Sequence, residues 1–134
     1  QKHNVFGGFA LSIYIKHMEG KGKGVFTDER IPEHQIIEIA PVLVFDETEW
    51  KCIGSTLLGE YCYLWGSEFL TGAIALGYGS LYNHSYQPNA KFVRFPEQQE
   101  IHFIALREIQ EGEEITINYN GENIYDPVWF EVVE

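Results

Sequence analysis

Gly77-Tyr78-Gly79-Ser80-Leu81-Tyr82-Asn83-His84-Ser85-Tyr86-Gln87-Pro88-Asn89 gathers glycine, amide, imidazole and hydroxyl groups at unusual density in an apolar setting. Asn and His can bind the amine and carboxylate of an amino-acid ligand, or they can knit irregular backbone together. Alone, the stretch reads first as a loop that satisfies its own polar groups. The segments on either side decide between the two readings.

Upstream, Gly22-Lys23-Gly24-Val25-Phe26 starts a strand from glycine, which permits close backbone approach to a ligand or a φ that other residues resist. A lone Gly-x-Gly is ordinarily just a turn. Downstream, Glu111-Gly112-Glu113-Glu114-Ile115-Thr116-Ile117-Asn118-Tyr119 is an acidic turn feeding a strand that ends in tyrosine, whose default role is packing. Glu113 and Glu114 look like the paired acids of a hydrolase. Neighbours on a strand point to opposite faces, however, so a solvated or structural role is expected for both.

Elsewhere, short β-favouring runs are separated by turn residues, and helix is scarce. Residues 9–17 alternate apolar and polar positions as a half-buried strand does. Residues 36–45 form a long β-branched run interrupted by Pro41, which cannot donate to a ladder and so predicts an edge or a bulge. Asp46 is placed to cap a short helix carrying Thr48, Glu49 and Trp50. Residues 61–65 read as a strand, 90–95 and 100–107 as a hairpin around Pro96-Glu97-Gln98-Gln99, and 114–118 as a last short strand. The fold class is mostly β with few short helices. A doubly wound nucleotide-binding enzyme would need regular strand–helix alternation and a glycine-rich helix start, and neither is present.

With 134 residues, 45% of them apolar, the chain can close one core, and a single domain over 1–134 is expected. No stretch approaches the roughly 20 apolar residues of a membrane span, and residues 1–4 lack the features of a signal peptide. The expected location is intracellular: cytoplasmic, or nuclear in a eukaryote or virus. Cys52 and Cys62 have no metal-ligand spacing and are expected to be reduced thiols. Nine basic against 20 acidic residues give a net charge of −11. That balance argues against direct nucleic-acid binding and favours a basic protein partner.

Taken together, in this order and spacing, Gly22 and Gly24, Asn83-His84-Ser85 with Pro88-Asn89, and residues 112–119 resemble the SET-domain family of protein lysine methyltransferases. The resemblance runs over about residues 22–119, and on towards Trp129. It implies a β-rich fold of several small sheets with a C-terminal pseudoknot, S-adenosylmethionine as cofactor, and a lysine in a basic protein or peptide as substrate. It further implies that the backbone at Lys23 and Gly24, with Asn83 and His84, holds the methionine moiety. Trp129, with Phe130 second, would cover the adenine. Tyr119 would be the catalytic residue, orienting methyl and amine, while Tyr61, Tyr63 and Tyr82 are candidates for the aromatic substrate channel, with Tyr86 a further one. No metal is implied. Many members have a cysteine where Tyr86 stands, and the downstream zinc-binding cysteine cluster is missing here, as in compact bacterial or viral members. The Trp129 region or a second subunit in a homodimer would then close the channel. Ile117 occupies a position that influences the number of methyl groups added, and that number is not readable. The alternative is a catalytically weak SET-like module that binds the cofactor or a basic peptide.

Overall fold

Ile36–Val44 (β4) is the strand on which the larger sheet is organised. Its β-branched residues favour extended backbone, and alternation buries Glu38, Ala40 and Val42 on one face. A register shift between Ile36 and Glu38 breaks the alternation. Ile37 and Glu38 are therefore both buried, where an unbroken strand would expose one of them. The shift brings Ile37 inside, while the alternation with Ala40 and Val42 places the Glu38 carboxylate there.

The computed structural model describes residues 9–121. The other strands are β1 (Phe9–Ala10), β2 (Ile13–Met18), β3 (Gly22–Thr27), β5 (Cys62–Trp65), β6 (Thr71–Ala75), β7 (Asn83–His84), β8 (Ala90–Phe95), β9 (Glu100–Ala105) and β10 (Glu114–Ile117). One helix, α1 (Glu47–Ile53), and two 3-10 turns, Leu57–Tyr61 and Ser67–Phe69, complete the regular structure of the described residues. The helix starts as its sequence predicts. Asp46 accepts from the Glu49 N–H at 2.7 Å, and Glu49 returns a bond to the Asp46 N–H at 2.9 Å, a complete capping box.

Six strands form one sheet in the order β5-β6-β4-β9-β8, with β1 also paired to β4, and four form a second in the order β2-β3-β10-β7. Pro41 does not mark an edge, because β4 is interior. The ladder to β9 ends at Pro41–Glu100 and the ladder to β6 begins at Val42–Ala75. The missing N–H thus falls at a changeover between partners, where its loss is tolerated. Residues 9–17 likewise divide: β1 joins β4 and β2 joins β3, so the chain changes sheets at Leu11–Ser12.

The larger sheet is strongly curled. Its end strands meet where Tyr63 of β5 sits edge-on to Phe92 of β8, ring centroids 5.0 Å apart, and where Arg94 Nε donates to the Leu64 carbonyl at 2.8 Å. The Arg94 guanidinium also lies 4.7 Å from the Phe69 ring and 5.1 Å from that of Phe92. Ile37, Ile101, Phe103, Ile109, Ile115 and Ile117 are fully buried in the shared core. Cys52 and Cys62 are free thiols. No helix among the described residues is long and apolar enough to cross a membrane.

The arrangement that matters most for the site is the position of β10. It pairs antiparallel with β3, Glu114 opposite Phe26 and Ile115 opposite Val25, and parallel with β7, Thr116 with Asn83 and Ile117 with His84. Asn89, only 3% exposed, extends this seam like an extra strand residue. Its Nδ2 donates to the Glu114 carbonyl at 2.8 Å and its Oδ1 accepts from the Thr116 N–H at 2.9 Å. Replacing Asn89 by Ala orphans one buried donor and one buried acceptor, so Asn89→Ala should lower unfolding free energy by about 2–4 kcal/mol. Urea denaturation measures this directly, and a loss under about 0.5 kcal/mol would mean that the seam does not depend on Asn89.

Candidate active site

Because β10 lies between β3 and β7, three segments distant in sequence converge on one place. Asn83 sits at the seam: its Nδ2 donates to the Lys23 carbonyl at 3.0 Å and to Glu114 Oε2 at 2.8 Å. Glu114 also holds Lys21, at 2.8 Å. Gly24 leaves room for this cluster: a Cβ there would stand 2.6 Å from Glu114 Oε2 and from Met18 Cε, and 2.9 Å from Asn83 Nδ2, so these side chains would have to shift. Glu113 turns the other way and pairs with Arg107 at 2.7 Å, a bond that holds its carboxyl below the usual range. The two adjacent acids therefore serve separate ion pairs, as the alternation of a strand requires.

Two cavities flank the convergence point. The larger, of about 710 Å³, is bounded by His17, Lys21, Gly22 and Lys23 on one side and by Ile74–Gly77 and Leu81 on another. The smaller, of about 510 Å³, is bounded by residues 59–64 and Arg94. Both share Tyr61, Ser80, Tyr82, Asn83 and Tyr119, which form the wall between them.

Tyr119 occupies this wall through two bonds. Its backbone N–H donates to His84 Nδ1 at 3.0 Å, and its hydroxyl donates to the Tyr82 carbonyl at 2.7 Å. Since Nδ1 accepts, it is the nitrogen of His84 that carries no proton. The His84 ring is 2% exposed and sits between the rings of Tyr86, at 4.6 Å, and Tyr119, at 5.1 Å. Partial burial pushes the Tyr119 phenol up to about 12, with the charges of Glu114 and Tyr61 adding to the effect.

Of the residues singled out from sequence, the fold brings Lys23, Gly24, Asn83, His84, Tyr61, Tyr63, Tyr82 and Tyr119 together. Their positions differ in kind. His84 bounds neither cavity and acts on Tyr119 from behind, while Gly24 fits beneath the Asn83 amide. Tyr61 ends a 3-10 turn instead of standing on β5, and is half-exposed. The Tyr63 hydroxyl is committed to the Gly79 carbonyl at 2.7 Å and that of Tyr82 to Glu38 Oε1 at 2.7 Å, so only their rings and backbone can face a ligand. Tyr86 bounds neither cavity. Trp129 and Phe130 lie outside the described residues. Sequence reasoning missed Ser80 and Arg94. A period-2 reading of β8 puts Arg94 on the same face as Phe92, and that was the one available signal.

A β-rich fold of small curled sheets in which a glycine strand, an Asn-His strand and a terminal tyrosine meet defines a SET domain. The sequence matches the SET domain family model over residues 22–120, and the chain belongs to that family. It is 42% identical, over 120 residues, to a histone-lysine N-methyltransferase of Schizosaccharomyces pombe (strain 972) specific for H3 lysine 37, covering 89% of this chain and 77% of that protein. Among solved structures it is similar to a candidate histone methyltransferase of Plasmodium falciparum. The TM-score is 0.61 and the identity 28%, covering 92% of this chain and 100% of that one.

The raised value for Tyr119 sets a pH signature. A phenol titrating higher in the folded state than in the unfolded chain contributes stability that is fully present below about pH 10 and is lost towards about pH 12. The difference in phenolate absorbance between the wild type and Tyr119→Phe should therefore stay flat up to about pH 11. A step near pH 10 would show an ordinary, unburied phenol.

Proposed function

We propose that the wall shared by the two cavities is where this chain brings a methyl group from S-adenosylmethionine to the side-chain amine of a lysine, with a histone tail as the first substrate to expect. The chain is a protein-lysine N-methyltransferase, and the observation that carries the placement is the Tyr119 hydroxyl, fixed at the one wall both cavities share. When bound, S-adenosylmethionine supplies the methyl group, activated on a sulfonium sulfur.

The larger cavity fits that cofactor. Its volume lies within the range of ligand sites. Lys23 and Asn83 border it, and Gly24 lets the Asn83 amide lie against the β3 backbone. His17 and Lys23 place cationic or ionisable nitrogens at its edge where a carboxylate can be met, while Lys21 is already paired with Glu114. The smaller cavity, bounded by the rings of Tyr61, Tyr63, Tyr82 and Tyr119, suits the aliphatic stem and amine of a lysine.

A lysine in water titrates near 10.4, so presenting it as a neutral nucleophile at pH 7 costs about 4.6 kcal/mol unless the site shifts the equilibrium. Aromatic walls that strip water disfavour the charged form and lower that cost. The Tyr119 phenol stays protonated at neutral pH and already donates its hydrogen to the Tyr82 carbonyl. A phenol oxygen that donates its hydrogen can also accept from the amine or from the polarised methyl group, so it orients the reactants, and the proton leaves to water. Holding the reacting atoms in line is the main catalytic device.

Basic tails suit a chain of net charge −11. The Schizosaccharomyces pombe relative modifies H3 lysine 37, which makes histone H3 the substrate to test first. With labelled S-adenosylmethionine and H3, label should appear on lysine, and Tyr119→Phe should cut turnover about 100-fold while the thermal midpoint moves by no more than a few degrees. Tight cofactor binding without transfer to H3 or to other basic proteins would instead favour a binding module. Gly24→Ala should weaken S-adenosylmethionine binding in calorimetry by about tenfold or more, because the Asn83–Glu114 cluster must shift to admit the methyl group. Unchanged affinity would detach the glycine strand from the cofactor.

A further inference from the structure

Glu38 is a carboxylate in the core, 3% exposed, on the bulged face of β4. Among the described residues no Lys, Arg or His forms an ion pair with it. Burial raises its pKa, against hydrogen bonds from the Tyr82 side chain and the Tyr78 backbone that lower it. A buried acid without a cation is costly unless its oxygens are hydrogen-bonded.

Both Glu38 oxygens are committed to the segment that forms the cavity wall. Oε2 accepts from the Tyr78 N–H at 2.9 Å and Oε1 from the Tyr82 hydroxyl at 2.7 Å. The carboxylate thus ties the start and the end of the Gly77–Tyr82 loop to β4. The fit is close: a Cβ on Gly77, whose φ is +63°, would lie 2.5 Å from Oε2. The clamped residue is also the one Tyr119 depends on, since the Tyr82 carbonyl accepts the Tyr119 hydroxyl at 2.7 Å. The Tyr82 ring rests on Phe103, centroids 4.4 Å apart, so the phenol cannot turn away while Glu38 holds it.

We propose that Glu38 is a positioning residue for methyl transfer, fixing Tyr82 and, through its carbonyl, the Tyr119 hydroxyl at the junction of the two cavities. This rests on the role given above to Tyr119. Glu38 touches neither cavity itself, and its contribution lies in geometry, to which in-line transfer is sensitive.

Gln has the same shape but replaces one acceptor oxygen by an NH2 donor: with its oxygen on the Tyr78 N–H, it can only donate to the Tyr82 oxygen, which reverses that bond, removes the negative charge and frees the phenol hydrogen. Tyr82→Phe removes a single hydroxyl and leaves the carbonyl in place. The test is steady-state transfer from labelled S-adenosylmethionine to histone H3 by the full chain carrying Glu38→Gln, Tyr82→Phe, both together, or Tyr119→Phe. Thermal midpoint and S-adenosylmethionine affinity are measured for each. Glu38→Gln and Tyr82→Phe should each lower kcat about tenfold, with KM for H3 and cofactor affinity within about twofold. The double variant should fall no further than the worse single one, because both act through the same bond. If Glu38→Gln does not fold, Tyr82→Phe decides alone. Wild-type kcat in either folded variant, losses that multiply, or a loss confined to KM would overturn the inference while a defective Tyr119→Phe left the role of Tyr119 standing. Wild-type turnover by Tyr119→Phe would remove both.

Discussion

Two residue pairs, Thr116 with Asn83 and Ile117 with His84, join β10 to β7 in parallel, and the site exists because of them. Parallel neighbours cannot be joined by a tight turn. Here the connection contains the whole β8–β9 hairpin, so the chain leaves the site at Ser85 and returns at Glu114. On its other side β10 meets β3, which brings the glycine strand alongside. Asn83 then reaches the Lys23 carbonyl, and His84 reaches the Tyr119 backbone. Neither bond can form until residues tens of positions apart are docked, so the site is non-local and closes only when most of the fold is in place.

The polar groups within this seam form a frame. Asn89, Glu38 and His84 are all buried, and each has a backbone group among its partners. Buried polar groups are costly when unpaired, so an arrangement that satisfies them is strongly favoured over its neighbours. Apolar packing of Ile115 and Ile117 holds β10 in the core. The polar bonds determine which register it takes there, and register is what aims Tyr119.

What could be read from sequence, and what could not, follows from the range of each interaction. The β8–β9 hairpin and the Asp46 cap depend on alternation and on a contact three residues long, and both stand where the residues predict them. β6, with the sequence Thr-Gly-Ala-Ile-Ala, is too short and too small-sided to carry a periodic signal, and β7 is only two residues long. Pro41 suggested an edge or a bulge because local chemistry cannot reveal that two ladders trade places beside it. Glu38 was invisible for a related reason: isoleucines stand on both faces around it, at Ile36, Ile37 and Ile39, and which face turns inward is decided by a partner strand more than sixty residues away. Of 8 tyrosines, Tyr119 was legible because the motif ends on it, whereas Tyr61 and Tyr63 are distinguished only by the turn that separates them.

Charge has different tasks at different distances. Over the whole surface an excess of acid attracts a basic tail, a long-range effect that salt screens. In the proposed lysine site, the smaller cavity, the requirement reverses, because a lysine must give up its proton before it can attack. A free carboxylate beside the amine would stabilise the ammonium form and oppose that step. Two carboxylates bonded to residues of the shared wall are occupied by other partners. Glu114 is held by Lys21 and Asn83, and Glu38 is turned inward and saturated by Tyr78 and Tyr82. Of the charged side chains bounding the cavity, Glu60 is solvent-exposed and Arg94 is positive. Arg94, stacked against Phe69 and Phe92, closes the sheet seam and also leaves a cation in the space where a second one is unwelcome. Attraction outside and deprotonation inside are therefore compatible in the proposed site, because Glu38 and Glu114 beside the shared wall are engaged by other groups and Glu60, at the cavity's edge, is solvated and screened.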